Sequence, residues 1–295
     1  MSSRILVVTA VAAEADSVAT GPAVDVPLPG GFTLRRHLPK AAGKGPVVDV
    51  LVAGVGPAAA AAATATALAH ATTHRPYGLV VSAGIAGGFR PVAPLGTVVV
   101  ADAVVQADLG ARTADGYLAV EELGFGRSAH RVPEGLTRAA ADALAHDGPP
   151  HVVGTVLTVS TVTGTADRAA ELAERHPGAA AEAMEGFGVA EAAAAYGVPV
   201  MEIRAVSNAV GPRDRAAWRI PEALDALRRA FRLLTPTVFA DRAVVDTVLA
   251  GPDPAPDLDP ASDPDPHPAS DPDSHPASGP VPAPDPYPDP EGIPQ

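Results

Sequence analysis

Four places in the chain carry side chains whose type and position invite chemistry: Glu14, the glycine-rich run Ser82 to Phe89, Glu185, and the pair Ser207-Asn208. Glu14 follows the apolar run Ile5 to Thr9 by a few residues, where a carboxylate can poise a water for attack; an acid serving the positive end of a helix fits the same position. Glu185 sits among Ala, Met, Gly and Phe. A charge buried there without a partner is expensive, so it needs a counter-charge or a task, although an ordinary first-turn helix glutamate competes with that reading. Asn208 offers one amide donor group and one acceptor. Ala83-Gly84-Ile85-Ala86-Gly87-Gly88-Phe89 would let a ligand come close to backbone amides, yet it matches neither a phosphate loop nor a dinucleotide fingerprint, and tight turns between elements are the expectation for it and for Gly54 and Gly56.

Other chemistries have little support. There is no GxSxG elbow, and Ser82, Ser160 and Ser207 have no histidine nearby in sequence. The chain contains no cysteine, which removes thiolate nucleophiles, disulfides and Cys-ligated zinc. Its nine histidines lack HExxH-type spacing, so no metal and no cofactor is expected.

The elements that must position these residues are legible from their patterning. Ile5 to Thr9, Val48 to Ala53 and Leu79 to Ser82 are continuous apolar runs, as expected of strands buried on both faces. Gly54-Val55-Gly56-Pro57 and an Ala-rich helix to His70 complete a strand, turn and helix unit. Thr97 to Val105 and Val152 to Ser160 add Val-rich strands, while Pro133 to His146 and Ala166 to Arg175 have helical composition. Ala179 to Met184 leads into a helix from about Gly186 to Tyr196; Pro199 to Val206 is a strand, and Glu222 to Leu234 a closing amphipathic helix. In such an α/β sheet, ligands collect where strands end and helices begin, which is where the four candidates fall.

With 47% hydrophobic and only 4% aromatic residues, the core must be built from Ala, Val and Leu, within one α/β domain spanning 1–245. Residues 246–295 become an acidic tail rich in Pro, Asp, Ala and Ser, expected to be disordered because it cannot bury enough apolar surface. From Gly251 onward it holds nine Asp, one Glu and no Lys or Arg, about −10 of the net −13, so the body carries about −3. A body without a basic stripe, followed by an acidic tail, argues against nucleic acid and against anionic membranes as partners. No apolar run reaches the roughly 18 residues of a membrane span. Ile5 to Ala13 reads as a strand rather than a signal peptide, making a cytoplasmic location the default.

At Ala181-Glu182-Ala183-Met184-Glu185-Gly186, followed by Glu202-Ile203-Arg204-Ala205-Val206-Ser207-Asn208, the chain resembles the purine nucleoside phosphorylase and nucleosidase superfamily. Thr9-Ala10 to Glu14, Ala53-Gly54-Val55-Gly56 and Gly84 to Phe89 match it in order. The resemblance implies a three-layer α/β/α fold on a central mixed twisted sheet. It implies that Met184 and Glu185 hold ribose, Glu185 accepting from the 2' and 3' hydroxyls, and that Glu14 activates water. Related phosphorylases place an Arg close behind the first strand to hold phosphate; Val11 to Val24 contains no Lys or Arg, which favours water as nucleophile.

Nucleosidases acting on methylthioadenosine and adenosylhomocysteine carry Asp where this chain has Asn208, and an amide suits the O6, N7 edge of a 6-oxopurine better than adenine. Val210-Gly211-Pro212-Arg213-Asp214-Arg215-Ala216-Ala217-Trp218, Thr158 to Thr163 and Asp108-Leu109-Gly110 resemble segments of futalosine hydrolases, which release hypoxanthine from futalosine in menaquinone biosynthesis. The resemblance then implies substrate contacts from Ile85, Ala86, Gly87, Val162 and Thr163. It places Trp218 against the 5' substituent, Arg213 or Arg215 at its carboxylate, and Tyr117 in the site of a neighbouring subunit of a homodimer or larger homo-oligomer. A methylthioadenosine/adenosylhomocysteine nucleosidase and a noncatalytic nucleoside-binding protein are the alternatives.

Overall fold

The six residues Arg4–Thr9 form β1 and all are buried, as a strand covered on both faces requires. The computed structural model describes residues 3–39, 45–114 and 116–241; the expected domain end near 245 and the expected disordered tail lie outside the described residues. After β1 come α1 (Ala12–Val18), β2 (Val24–Pro27), β3 (Thr33–His37), β4 (Val47–Val52), α2 (Pro57–Thr72), β5 (Leu79–Gly88), β6 (Val98–Gln106), β7 (Gly110–Thr113), β8 (Gly116–Ala119) and β9 (Ala129–Arg131). The chain continues with α3 (Glu134–Ala145), β10 (His151–Thr158), α4 (Ala166–Arg175), β11 (Ala179–Ala183), α5 (Gly186–Ala195), β12 (Val200–Ala209) and α6 (Ile220–Leu234).

The main sheet runs β11, β10, β6, β12, β5, β1, β4, β3, β2, with β9 beside β6. It is mixed: β1 is parallel to both β4 and β5, and β12 is parallel to β5 but antiparallel to β6. Helices cover both sides, α2 packing on α5, and α6 packing on α1 and α3. This is the expected layered arrangement, with one addition. β11 returns to pair antiparallel with the far end of β5, so β5, β12, β6, β10 and β11 close on themselves, and closure brings β11 beside the glycine-rich end of β5. Among the described residues, no helix is long and apolar enough to cross a membrane.

The glycine-rich run is strand, not turn. β5 continues to Gly88, six residues beyond the expected end at Ser82. The glycines are needed for what crosses the strand: a Cβ on Gly84 would lie 2.5 Å from Glu14 Oε1 and 2.7 Å from Arg204 Nη1, and one on Gly88 would lie 2.2 Å from the Ala93 carbonyl oxygen. Gly54 and Gly56, by contrast, do form the turn into α2, with φ of 91° and 98°.

Two features were not visible in the apolar pattern. The β2–β3 hairpin extends the sheet edge through short strands bearing Asp25, Arg35, Arg36 and His37. Asp49, fully buried inside the otherwise apolar β4, accepts from Arg4, Arg36 and Tyr77 at 2.7–3.0 Å. Burial pushes its carboxyl up, but Arg36, Tyr77 and Arg4 together hold it below its ordinary value.

The Ala-rich composition of α2 and α5 has a packing reason, since small side chains let the two helices approach closely. At Gly188 the approach is backbone to side-chain position: an added Cβ would sit 2.0 Å from the Pro57 carbonyl oxygen. Gly188→Ala is therefore expected to lower unfolding free energy by about 1–3 kcal/mol, the usual cost of overpacking. Urea denaturation at fixed protein concentration checks this, and an unshifted midpoint would refute it.

Candidate active site

A cleft of about 390 Å³ opens where β1, β5, β11 and β12 end, lined by Glu14, Met184, Glu185 and Asn208 together with Ile85, Ala86 and Gly87. Val162, Thr163, Arg213 and Trp218 complete most of the expected set. Two residues of the expected set do not line this cleft, and of these Tyr117 was expected at the cleft of a neighbouring copy. Tyr117 lies on the β7–β8 hairpin with the Arg175 guanidinium 3.8 Å from its ring centroid, and Arg215 flanks Trp218 at 5.6 Å without lining the cleft.

Glu14 is in the first turn of α1 and is buried. Its Oε2 accepts from the backbone amides of Ala10 at 2.9 Å and Val11 at 3.3 Å, while Oε1 accepts from the amide of Ile85 at 2.9 Å. Both readings of Glu14 thus meet in one geometry: a helix-start acid tied back to its own strand end, yet held open to a cavity. Three backbone donors fix its orientation without help from a flexible side chain.

Glu185 is the residue preceding α5 and is also buried. Its Oε1 accepts from the Gly56 amide at 3.3 Å, and its Oε2 pairs with Arg204 Nη1 at 3.2 Å. The positive φ of Gly56 turns that amide toward the carboxylate, a conformation glycine adopts freely.

Arg204 is the partner that apolar patterning could not reveal. It is fully buried in β12 and donates from Nε to Glu202 Oε1 at 2.8 Å and from Nη2 to Ser82 Oγ at 3.0 Å. Burial opposes its charge, but Glu202, Glu185 and Glu14 outweigh that and hold the guanidinium protonated above its ordinary value. Burial pushes the Glu202 carboxyl up, Arg204 pulling it back and Glu185 adding to the rise. Room for Glu202 comes from Gly186, where a Cβ would lie 2.2 Å from Glu202 Oε2. The one sequence signal for this cluster was the presence of two charges, Glu202 and Arg204, inside an otherwise apolar strand.

Asn208 owes its aim to an irregularity. The β12–β5 register shifts between Val206 and Asn208, a bulge that redirects the side chain that follows. Ser207 Oγ donates to Asn208 Oδ1 at 2.9 Å, and Asn208 Nδ2 donates to the Ala209 carbonyl at 3.1 Å. That nitrogen lies over Gly87, 3.3 Å from where a Cβ would be. Beyond the strand, Arg213 lies 5.5 Å from the Trp218 ring centroid. Asp214 Oδ1 accepts from the Ala216 amide instead of pairing with either neighbouring arginine.

The cleft thus holds an oriented carboxylate at one wall, a second carboxylate backed by a buried guanidinium, an amide over a glycine floor, and an aromatic and cationic rim. Such a set can bind a polyhydroxylated, partly aromatic molecule and deliver a water to it. Comparison with known proteins agrees in kind. Residues 4–237 match the model of the phosphorylase superfamily. Futalosine hydrolase of Streptomyces coelicolor is 62% identical over 239 residues, covering 80% of this chain and 96% of that relative. The Acidothermus cellulolyticus futalosine hydrolase is 50% identical, covering 79% and 91%. The solved structure of Helicobacter pylori futalosine hydrolase superposes with a TM-score of 0.67 at 17% identity, covering 79% of this chain and 97% of that one, a likeness of fold. This chain belongs to the phosphorylase superfamily and, within it, to the futalosine hydrolases.

Proposed function

We propose that the protein hydrolyses the N-glycosidic bond of futalosine, releasing hypoxanthine and leaving dehypoxanthine futalosine. One observation carries the mechanism: Glu14, Glu185 and Asn208, distant along the chain, line a single cleft. Glu14 orients a water and takes its proton as the oxygen attacks C1' and the bond to the purine nitrogen breaks. Met184 and Glu185 grip the ribose, Glu185 accepting from two adjacent hydroxyls, and its charge favours the oxocarbenium character that develops. Asn208 hydrogen-bonds the departing 6-oxopurine, and the proton that Glu14 took from water passes to a purine nitrogen, so that the hydroxyl stays on C1' and the hydrogen leaves with the base.

Water rather than phosphate as nucleophile is supported by the commitment of Arg204: its guanidinium is engaged by Glu202, Ser82 and Glu185, so it is not free to hold an anion. Ile85, Ala86, Gly87, Val162 and Thr163 receive the base. Trp218 packs on the 5' aromatic chain with Arg213 at its carboxylate and Arg215 behind the ring. The same reading takes the β7–β8 hairpin, with Tyr117, to complete the cleft of a neighbouring copy in a homodimer or larger assembly. Support comes from the separation of this hairpin from the main sheet and from the exposed apolar Leu118 and Phe125.

The test is direct. Purified protein is expected to release hypoxanthine from futalosine in phosphate-free buffer, and to cleave methylthioadenosine at least about a hundredfold more slowly, because a site built to hydrogen-bond one purine edge leaves buried polar groups unpaired against the other. A strict phosphate requirement, or preferred release of adenine, would overturn the proposal.

A further inference from the structure

One buried acid in the cleft has no part in the mechanism above. Glu182, in β11, lines the same cavity and is nearly inaccessible, yet among the described residues it forms no salt bridge. Its contacts come from one residue: the Thr163 amide donates to Oε1 at 2.8 Å, and the Thr163 hydroxyl donates to Oε2. Burial holds its carboxyl above the ordinary value, and those two donors offset the rise only in part. Two donors aimed at its two oxygens suit the ionised form, and each oxygen keeps a further lone pair for a ligand.

Register fixes where this carboxylate stands relative to the amide already described. Gly87 of β5 is directly opposite Glu182 on one side and Asn208 on the other. Two strand spacings separate the flanking residues, about 10 Å between backbones. Side chains of directly opposed residues share a face, and all three residues line the cleft. Gly87 therefore makes a bare floor with an amide at one margin and a carboxylate at the other, and a flat heterocycle resting on it would meet both.

We infer that Glu182 is a specificity-determining residue that accepts a hydrogen bond from the N1–H of a 6-oxopurine whose O6, N7 edge is held by Asn208. This rests on the proposed reading of the cleft as a purine nucleoside site and deepens it. A 6-oxopurine presents a donor at N1 and an acceptor at O6, whereas a 6-aminopurine presents an acceptor at N1 and a donor at the exocyclic nitrogen. A carboxylate at the N1 edge favours the first and opposes the second. Asn208 alone discriminates weakly, because an amide can turn to offer either donor or acceptor.

The experiment measures dissociation constants of hypoxanthine, 1-methylhypoxanthine and adenine by calorimetry, so that it does not depend on turnover. The unmodified protein is expected to bind hypoxanthine about ten- to hundredfold more tightly than the other two, the range for a hydrogen bond to a charged group. In Glu182→Gln that gap should collapse, hypoxanthine weakening while adenine does not. Equal binding of the three bases by the unmodified protein would overturn the inference without any variant. So would a uniform loss for all three in Glu182→Gln, which would make Glu182 only an anchor of the Thr163 loop. Should futalosine prove not to be cleaved while base preference still depends on Glu182, the substrate reading fails and the purine contact stands.

Discussion

Glu14→Gln is expected to reduce kcat for futalosine cleavage by about 10²–10⁴-fold, the range for loss of a positioned general base, while hypoxanthine binding changes less than about threefold. The expectation follows from how Glu14 is held. Its three amide donors belong to Ala10, Val11 and Ile85, all backbone, so the substitution leaves their positions intact and removes the capacity to accept a proton. Gln also turns an NH2 group toward one of those donors. A small rearrangement is expected there, which is why binding must be measured beside turnover. Steady-state hypoxanthine release, with calorimetric binding of hypoxanthine, separates the two effects. Turnover within a few-fold of the unmodified protein would remove Glu14 from its assigned role and leave water activation without a residue.

The second large effect concerns stability. Arg204 is the buried cation beside Glu202 and Glu185, and Glu14 also acts on it electrostatically. Arg204→Met is expected to cost about 3–5 kcal/mol of unfolding free energy, because it strands buried carboxylates without their counter-charge. Adding Glu202→Gln should recover about 1–2 kcal/mol, since the carboxylate most dependent on Arg204 is then uncharged; coupling of that size is usual for groups sharing one network. Glu14 and Glu185 keep backbone amide donors of their own, so recovery should stay partial. Chemical denaturation of the two variants and the parent gives the cycle. An Arg204→Met protein as stable as its parent, or a double variant weaker than the single, would refute this account of the buried charges.

Stability and chemistry are joined here through geometry. The guanidinium that neutralises the interior also braces Glu185 at the cleft wall, and the glycines of β5 and α5 exist to admit these side chains. A Cβ at Gly84 would contact both Glu14 and Arg204, and one at Gly186 would contact Glu202. The glycine-rich run is therefore a space requirement written into a strand.

Much of the fold was legible because the physics behind it is local. Continuous β-branched runs marked β1, β4, β6 and β10, and helix patterning marked α2 through α6 within one to two residues at most ends. Glu14, Glu185 and Asn208 stood out because each is a polar group at the end of an apolar strand. The β2–β3 and β7–β8 hairpins escaped, being short, partly charged and stabilised by pairing partners remote from their own sequence. Arg204, Glu202 and Asp49 escaped for a related reason: a charge inside an apolar strand looks like a defect until the opposing charge on another strand is known.

By itself the order of residues determined the alternation of strands and helices, the Ala-rich core and the polar groups available at the strand ends, since burial periodicity and side-chain chemistry are properties of neighbours along the chain. Only tertiary structure decided that β11 returns to β5, that Gly87 lies between Glu182 and Asn208, and that one guanidinium faces carboxylates on different elements. Those are outcomes of sheet closure and register, which place residues about 100 positions apart within hydrogen-bonding reach and cannot be read from either partner alone.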